Sequence, residues 1–168
     1  MKILSDFIEK LYLRNPDNLI YVDEMTGVKT RSYYDNVIKH KYQAEEVFIA
    51  FVDVNNLKKI NDELGHHEGS EFIRKTAHQL SLLNVKEVCR IGGDEFIIIA
   101  DKDFDRKSLN SVERISYGYI VKTKEQTVSE AVKIADEYMY KRKNTVHKRE
   151  ANKNHKKEGH RKKWKKQV

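Results

Sequence analysis

Leu4, Phe7, Ile8 and Leu11 recur at helical spacing near the start of the chain, and its single proline, Pro16, bars continuation. The pattern predicts a short amphipathic helix within residues 1–19. A polar turn at Thr26-Gly27 then leads into a second helix through "SYYDNVI". The period changes at "EEVFIAFVDV", a run of β-formers that reads as a buried strand and ends on a carboxylate, Asp53. Leu57, Ile60 and Leu64 return to helical spacing, "GHHEG" interrupts them, and Phe72, Ile73, Ala77, Leu80 and Leu83 line a longer helix. "VCRI" and "EFIIIA" read as strands joined by Gly92-Gly93, a two-residue connection in which both glycines take the positive φ of a primed hairpin turn. Beyond a polar stretch, "VERISYGYIV" is another strand. Thr127 to Glu130 forms a T-x-x-E capping box that opens a last helix, with Val128, Ala131, Val132, Ala135, Tyr138 and Met139 as its apolar positions.

A chain of 168 residues supports one ordinary hydrophobic core. With 39% hydrophobic and 35% charged residues it is polar but globular. No apolar run reaches the roughly 18 residues of a membrane-spanning helix, and "MKILSDFIEKLYLRN" intersperses charges where a signal peptide is uniformly apolar. The expectation is a soluble, cytoplasmic protein. One cysteine, Cys89, excludes an intramolecular disulfide and is expected to pack in the core. Charge changes the picture at one end only. Residues 145–168 hold ten Lys or Arg against two acids, leaving the body near neutrality. This basic stretch has almost no aliphatic residues to bury, so it reads as a disordered tail: an electrostatic hook for nucleic acid or an anionic membrane, with Trp164 available for stacking, or simply a solubilising segment.

The glycine pair matters because two acids come directly after it. Asp94 and Glu95 open the second strand, Asp53 closes the other strongly apolar one, and if those strands are neighbours the three carboxylates come within reach of one hard cation. Unbalanced, they would repel one another. Taken alone, G-G-D-E also reads as a polar hairpin tip. His66 and His67 fit local structural contacts better than metal ligation beside oxygen donors.

Four stretches occur in one order: "DEMTGVKTR" at 23–31, "DVNNLKKINDELGHHEGS" at 53–70, "GGDEF" at 92–96, and "SYGYI" with "ADEYMYKRK" after it. Together they resemble the GGDEF family of diguanylate cyclases over about residues 20–144. The resemblance implies an α/β (α+β) palm-like nucleotidyl cyclase fold, a central mostly antiparallel sheet flanked by helices. It implies condensation of two nucleoside triphosphates into a cyclic dinucleotide by a homodimer, each protomer holding one nucleotide, with pyrophosphate released. Two Mg²⁺ (or Mn²⁺) ions per site would be held by Asp53, Glu95 and the Val54 carbonyl, with Asp94 beside them helping to activate the attacking hydroxyl. Lys58, Arg90 and Lys143 match phosphate-contacting positions, Gly92 and Gly93 let the triphosphate approach the backbone, and Asn61 matches a position that contacts the guanine edge.

Departures qualify this. Asn55 stands where the family has a second Asp. Ser70 stands where a carboxylate reads guanine, and a hydroxyl, which donates as well as accepts, relaxes that choice toward ATP as well as GTP. The inhibitory R-x-x-D falls on Leu83 to Lys86 and is absent, and the link from Phe96 to Ser116 is short by about a helix. Alternatives are a catalytically silent GGDEF module that serves as receptor or scaffold, a cyclase resembling the compact CRISPR-associated polymerases of antiviral signalling, or a nucleic-acid-binding protein on a vestigial palm.

Overall fold

A computed structural model describes residues 20–144. The expected N-terminal helix and the basic tail lie outside the described residues.

The first described element is a turn. Asp23 accepts hydrogen bonds from the Thr26 amide at 3.0 Å and the Thr26 hydroxyl at 2.5 Å, and Gly27 takes φ 74°. The chain then makes a two-residue strand, β1 (Lys29–Thr30), and a composite helix, α1, formed by Arg31–Tyr33, a π-helical stretch Tyr34–Ile38 and a closing turn Lys39–Lys41. Thr30 caps α1 by accepting from the Tyr33 amide. Strand β2 (Val47–Val54) comes next, then α2 (Leu57–Leu64), α3 (His66–Ser81), β3 (Glu87–Arg90), β4 (Glu95–Asp101), a 3₁₀ helix (Arg106–Ser111) and β5 (Ile115–Lys122). The last helix, α4, covers residues 128–144.

The strands form one sheet in the order β1-β3-β4-β2-β5, antiparallel except where β1 runs parallel to β3. The continuous apolar run of β2 now has its reason. Phe48, Ala50, Val52 and Val54 face α3 and the 3₁₀ helix, whereas Val47, Ile49 and Phe51 face α1 and α4. A strand covered on both faces needs no polar side. Asp53 continues the second alternation and so lies on the α1/α4 face.

Local chemistry sets the helix ends. Asn56 takes the left-handed φ of 62° that Asn tolerates, turning β2 into α2. Gly65, at φ 93°, separates α2 from α3, so the break is one residue and His66 already belongs to α3. The capping box forms: the Glu130 amide donates to Thr127 Oγ1 at 3.1 Å and the Thr127 amide to Glu130 Oε2 at 2.8 Å. Val128, Ala131, Val132, Ala135 and Met139 are buried and Tyr138 is 46% exposed. Leu64, expected on an apolar face, is 67% exposed, and Leu83 lies beyond the end of α3.

The glycine connection differs from the expectation. Neither Gly92 nor Gly93 has positive φ, and four residues, Ile91 to Asp94, separate β3 from β4. The Ile91 and Gly92 amides both donate to the Glu95 carbonyl, at 2.9 and 3.4 Å, and a loop of that length turns without left-handed residues. Gly92 instead lies against the end of the flexible Glu95 side chain. A Cβ there would collide with the Glu95 carboxylate.

Candidate active site

The register of β2 and β4 sets Asp53 directly opposite Glu95. Residues opposite one another across antiparallel strands share a face with Cβ atoms about 5 Å apart. Both carboxylates therefore meet at the end of the sheet, under α4. Asp94 contributes its backbone: its carbonyl accepts from the Val54 amide at 3.0 Å and ties the acidic loop to the end of β2. Among the described residues no three carboxylate, thiolate or imidazole side chains converge to enclose a metal ion. The oxygen donors at this end are thus a carboxylate pair with the neighbouring backbone.

Lys143 reaches this pair from α4. Its ammonium donates to Asp53 Oδ1 at 2.5 Å, with the two side chains 27% and 12% exposed. Partial burial pushes the Glu95 carboxyl above its ordinary value, and the negative charges of Asp94, Asp53 and Asp136 push it the same way. Burial and the neighbouring carboxylates together disfavour the charged form of Glu95.

Arg90 braces the loop rather than standing open to solvent. Its guanidinium donates to the Gly93 carbonyl at 2.8 Å and to Asp23 Oδ1 at 3.1 Å. Hydrogen bonds from Thr26 and Arg90 bring the Asp23 carboxyl below its usual value, outweighing the burial that opposes them. The "DEMTG" turn is thereby locked to the glycine loop.

The remaining expected residues sit on the α2–α3 pair. Lys58 is exposed on α2. Asn61 packs against α3 so closely that a Cβ on Gly69 would collide with its Oδ1. Ser70 is next to that contact and donates its hydroxyl to the His66 carbonyl at 2.9 Å, within its own helix. Asn55 accepts at Oδ1 from the Ser116 hydroxyl at 2.8 Å, and Ser116 is the β5 residue opposite Asp53. His66 and His67 are exposed at the start of α3, and Cys89 is buried, as expected.

Three neighbours of the site do not stand out in the sequence. Asp23 is the loop brace. Arg31 donates to the Ile91 carbonyl at 3.4 Å, and its charge opposes the upward push on Glu95. Asp136 has a raised carboxyl because of burial, then Glu137 and Asp53. Its signal in the sequence is the seven-residue spacing to Lys143, two turns along one face of a helix.

Comparison with known proteins identifies the family and the fold. The profile of the family described as "Diguanylate cyclase, GGDEF domain" matches residues 20–116, more than half of the chain. The diguanylate cyclase DgcP of Escherichia coli is 32% identical over 87 residues, 48% of this chain and 26% of that protein. The response regulator PleD of Caulobacter vibrioides is 34% identical over 116 residues, 62% of this chain and 25% of PleD. The chain thus spans about a quarter of the length of these relatives. The structure of the coiled coil and GGDEF domain of DgcB from Caulobacter crescentus, solved in complex with c-di-GMP, superposes with a TM-score of 0.71 at 17% identity, covering 86% of this chain and 92% of that one. A microbial GGDEF domain described in an interaction with cyclic di-GMP gives a TM-score of 0.65 at 26% identity, over 74% and 94% of the two chains. These superpositions bear out the palm-like sheet with flanking helices, and the chain belongs to the GGDEF-domain family.

Proposed function

We propose that this chain condenses two nucleoside triphosphates, GTP and also ATP, into a cyclic dinucleotide with release of pyrophosphate. The observation that carries the reading is the pairing of Asp53 with Glu95 across β2 and β4, beside the glycine loop and with Lys143 on Asp53. Hard carboxylate oxygens on facing residues suit divalent ions, and the upward push on Glu95 is the strain such an ion relieves. Asp53, Glu95 and the Val54 carbonyl would hold Mg²⁺ or Mn²⁺, two ions to a site. Bound there, the ions lower the pKa of a 3′-hydroxyl and offset charge building on the phosphates.

The chain's own residues do the rest. Asp94 sits beside the pair to take the hydroxyl proton. Lys143, with Lys58, meets the triphosphate, and the Gly92-Gly93 backbone lets it come close. Arg90 acts on phosphate through the loop it braces and keeps the Gly93 carbonyl fixed. Asn61 and Ser70 meet the base edge. With its proton on the His66 carbonyl, the Ser70 hydroxyl is left to accept from an exocyclic amino group, which adenine and guanine both carry, so both bases are admitted. Since each nucleotide attacks the other, two sites face each other and the working unit is a homodimer in the cytoplasm, where the triphosphates are. No helix among the described residues is long and apolar enough to cross a membrane.

Pyrophosphate release from GTP and Mg²⁺ tests this. The wild-type chain is expected to release it steadily, and Glu95→Gln and Asp94→Asn are expected to lose about 100-fold or more, the scale of removing one essential group. Equal release by all three would overturn the assignment.

A further inference from the structure

On the far edge of the sheet from β1, two grooves meet at Tyr119 of β5. One, of about 420 Å³, has Tyr119, Tyr138, Lys141 and Arg142 in its walls. The other, of about 380 Å³, runs along Tyr119 and Val121 to Arg106 and Lys107 of the 3₁₀ helix. The link from β4 to β5 contains only that 3₁₀ helix, and Val121 is left 44% exposed. The surface alternates rings and cations. The Arg142 guanidinium lies 4.7 Å from the Tyr117 ring centroid, Arg106 lies 5.1 Å from that of Tyr119, and the Lys141 ammonium lies 5.7 Å from that of Tyr138. Among the described residues neither arginine has an ion-pair partner, so two positive charges are held by aromatic faces alone. Asp103 and Asp105 also line the second groove, but Asp105 is engaged as the cap of the 3₁₀ helix, accepting from the Lys107 amide at 3.0 Å.

We infer that this edge binds single-stranded nucleic acid, with phosphates against Arg106, Lys107 and Arg142 and a base on the exposed ring of Tyr138. Three features favour that ligand. Rings interleaved with cations are the chemistry that grips an unpaired strand, because stacking accepts any base and cations track the backbone. The surface is grooved and lined mainly by cations and tyrosines, whereas a membrane-seeking face presents a field of bulky apolar side chains outward. The helix that supplies Lys141 and Arg142 also leads directly into residues 145–168, which carry ten Lys or Arg and Trp164. The folded edge and that basic stretch are consecutive in the chain and share a composition of cations with aromatic residues. This inference stands apart from the cyclase reading.

The test is fluorescence anisotropy of a labelled single-stranded RNA with the full-length chain across a salt series. The probe should exceed one site of roughly 4–16 nucleotides. Arg106→Glu/Arg142→Glu is expected to weaken binding at least about tenfold and to lower the slope of log affinity against log salt by about 1.4, two charges on a single strand. Tyr138→Ala is expected to weaken binding at least about fivefold through lost stacking. Thermal melting curves provide the check that each variant is folded. Unchanged affinity and slope in the arginine variant would overturn the inference and leave the basic stretch as the whole of the binding. Arginine-dependent binding to phosphatidylserine vesicles with none to RNA would overturn it in favour of a membrane surface.

Discussion

Lys143 Nζ lies 2.5 Å from Asp53 Oδ1, so a residue near the end of α4 neutralises one near the end of β2, 90 positions earlier. A divalent ion on Asp53 must share or displace this contact. The pair is mostly buried, and removing the ammonium leaves the Asp53 carboxylate unpaired, so the loss is expected to exceed the ~1 kcal/mol of a surface pair. Lys143→Met should then gain more thermal stability from added Mg²⁺ than the wild type does, because no ammonium competes for Oδ1. Melting curves with and without Mg²⁺ check this. An equal or smaller gain in the variant contradicts the competition.

Glu95 provides a pH test. Its carboxyl is raised above 4.5, so the fold binds the proton more tightly than the unfolded chain. The stability this adds is fully present below pH 4.5 and is lost as pH rises through the folded value. Glu95→Gln removes the ionisation. The variant is expected to be more stable than the wild type at pH 7, by a margin that disappears toward pH 4, while turnover is lost. Denaturant titrations at the two pH values measure it. A variant less stable at pH 7 would mean that the Glu95 charge is balanced within the fold.

Gly118 seats α4. A Cβ on it would collide with the Ala135 carbonyl and the Met139 amide, both backbone groups that cannot turn aside. Gly118→Ala must therefore push α4 off β5, at an expected loss of about 2 kcal/mol or more. Because α4 carries Lys143, triphosphate affinity should fall with it. A melting temperature within about one degree of wild type would show that the helix adjusts without strain, since a loss of that size shifts it by several degrees.

Cys89 is buried under α1, and desolvation, aided by the charge of Glu87, pushes its thiol up to about 12. A thiol so placed forms no useful thiolate near neutrality. A disulfide reagent is expected to modify it only at the rate of unfolding, and prompt modification of the folded chain would show that this face opens.

Much of this architecture is legible in the sequence because period and chemistry agree. β2 and β4 are the two most apolar runs and they are neighbours, so acids at the end of one and the start of the other had to meet. The T-x-x-E box marks the start of α4 unambiguously. Other features depend on tertiary contacts that no local pattern encodes. The π-helical widening of α1 and the two-residue β1 have no periodic signature at that length. Gly92 has the look of a conformational glycine, yet its φ is not positive and it lies against the Glu95 carboxylate. Arg90 has the look of a free cation, yet it is bound by Asp23, 67 positions away. Leu64 keeps helical spacing on a helix with only one buried residue, Ile60. Spacing identifies a face but does not say how far the core extends along it.

The most direct measurement is mass spectrometry of the products formed from an equimolar mixture of GTP and ATP with Mg²⁺, for the wild type and for Ser70→Asp. Cyclic dinucleotides containing adenine as well as guanine are expected from the wild type, with a shift toward guanine alone when the carboxylate is restored. No cyclic dinucleotide from either protein, with nucleotide still bound, would contradict the cyclase reading and leave a GGDEF module that holds nucleotide without turning it over.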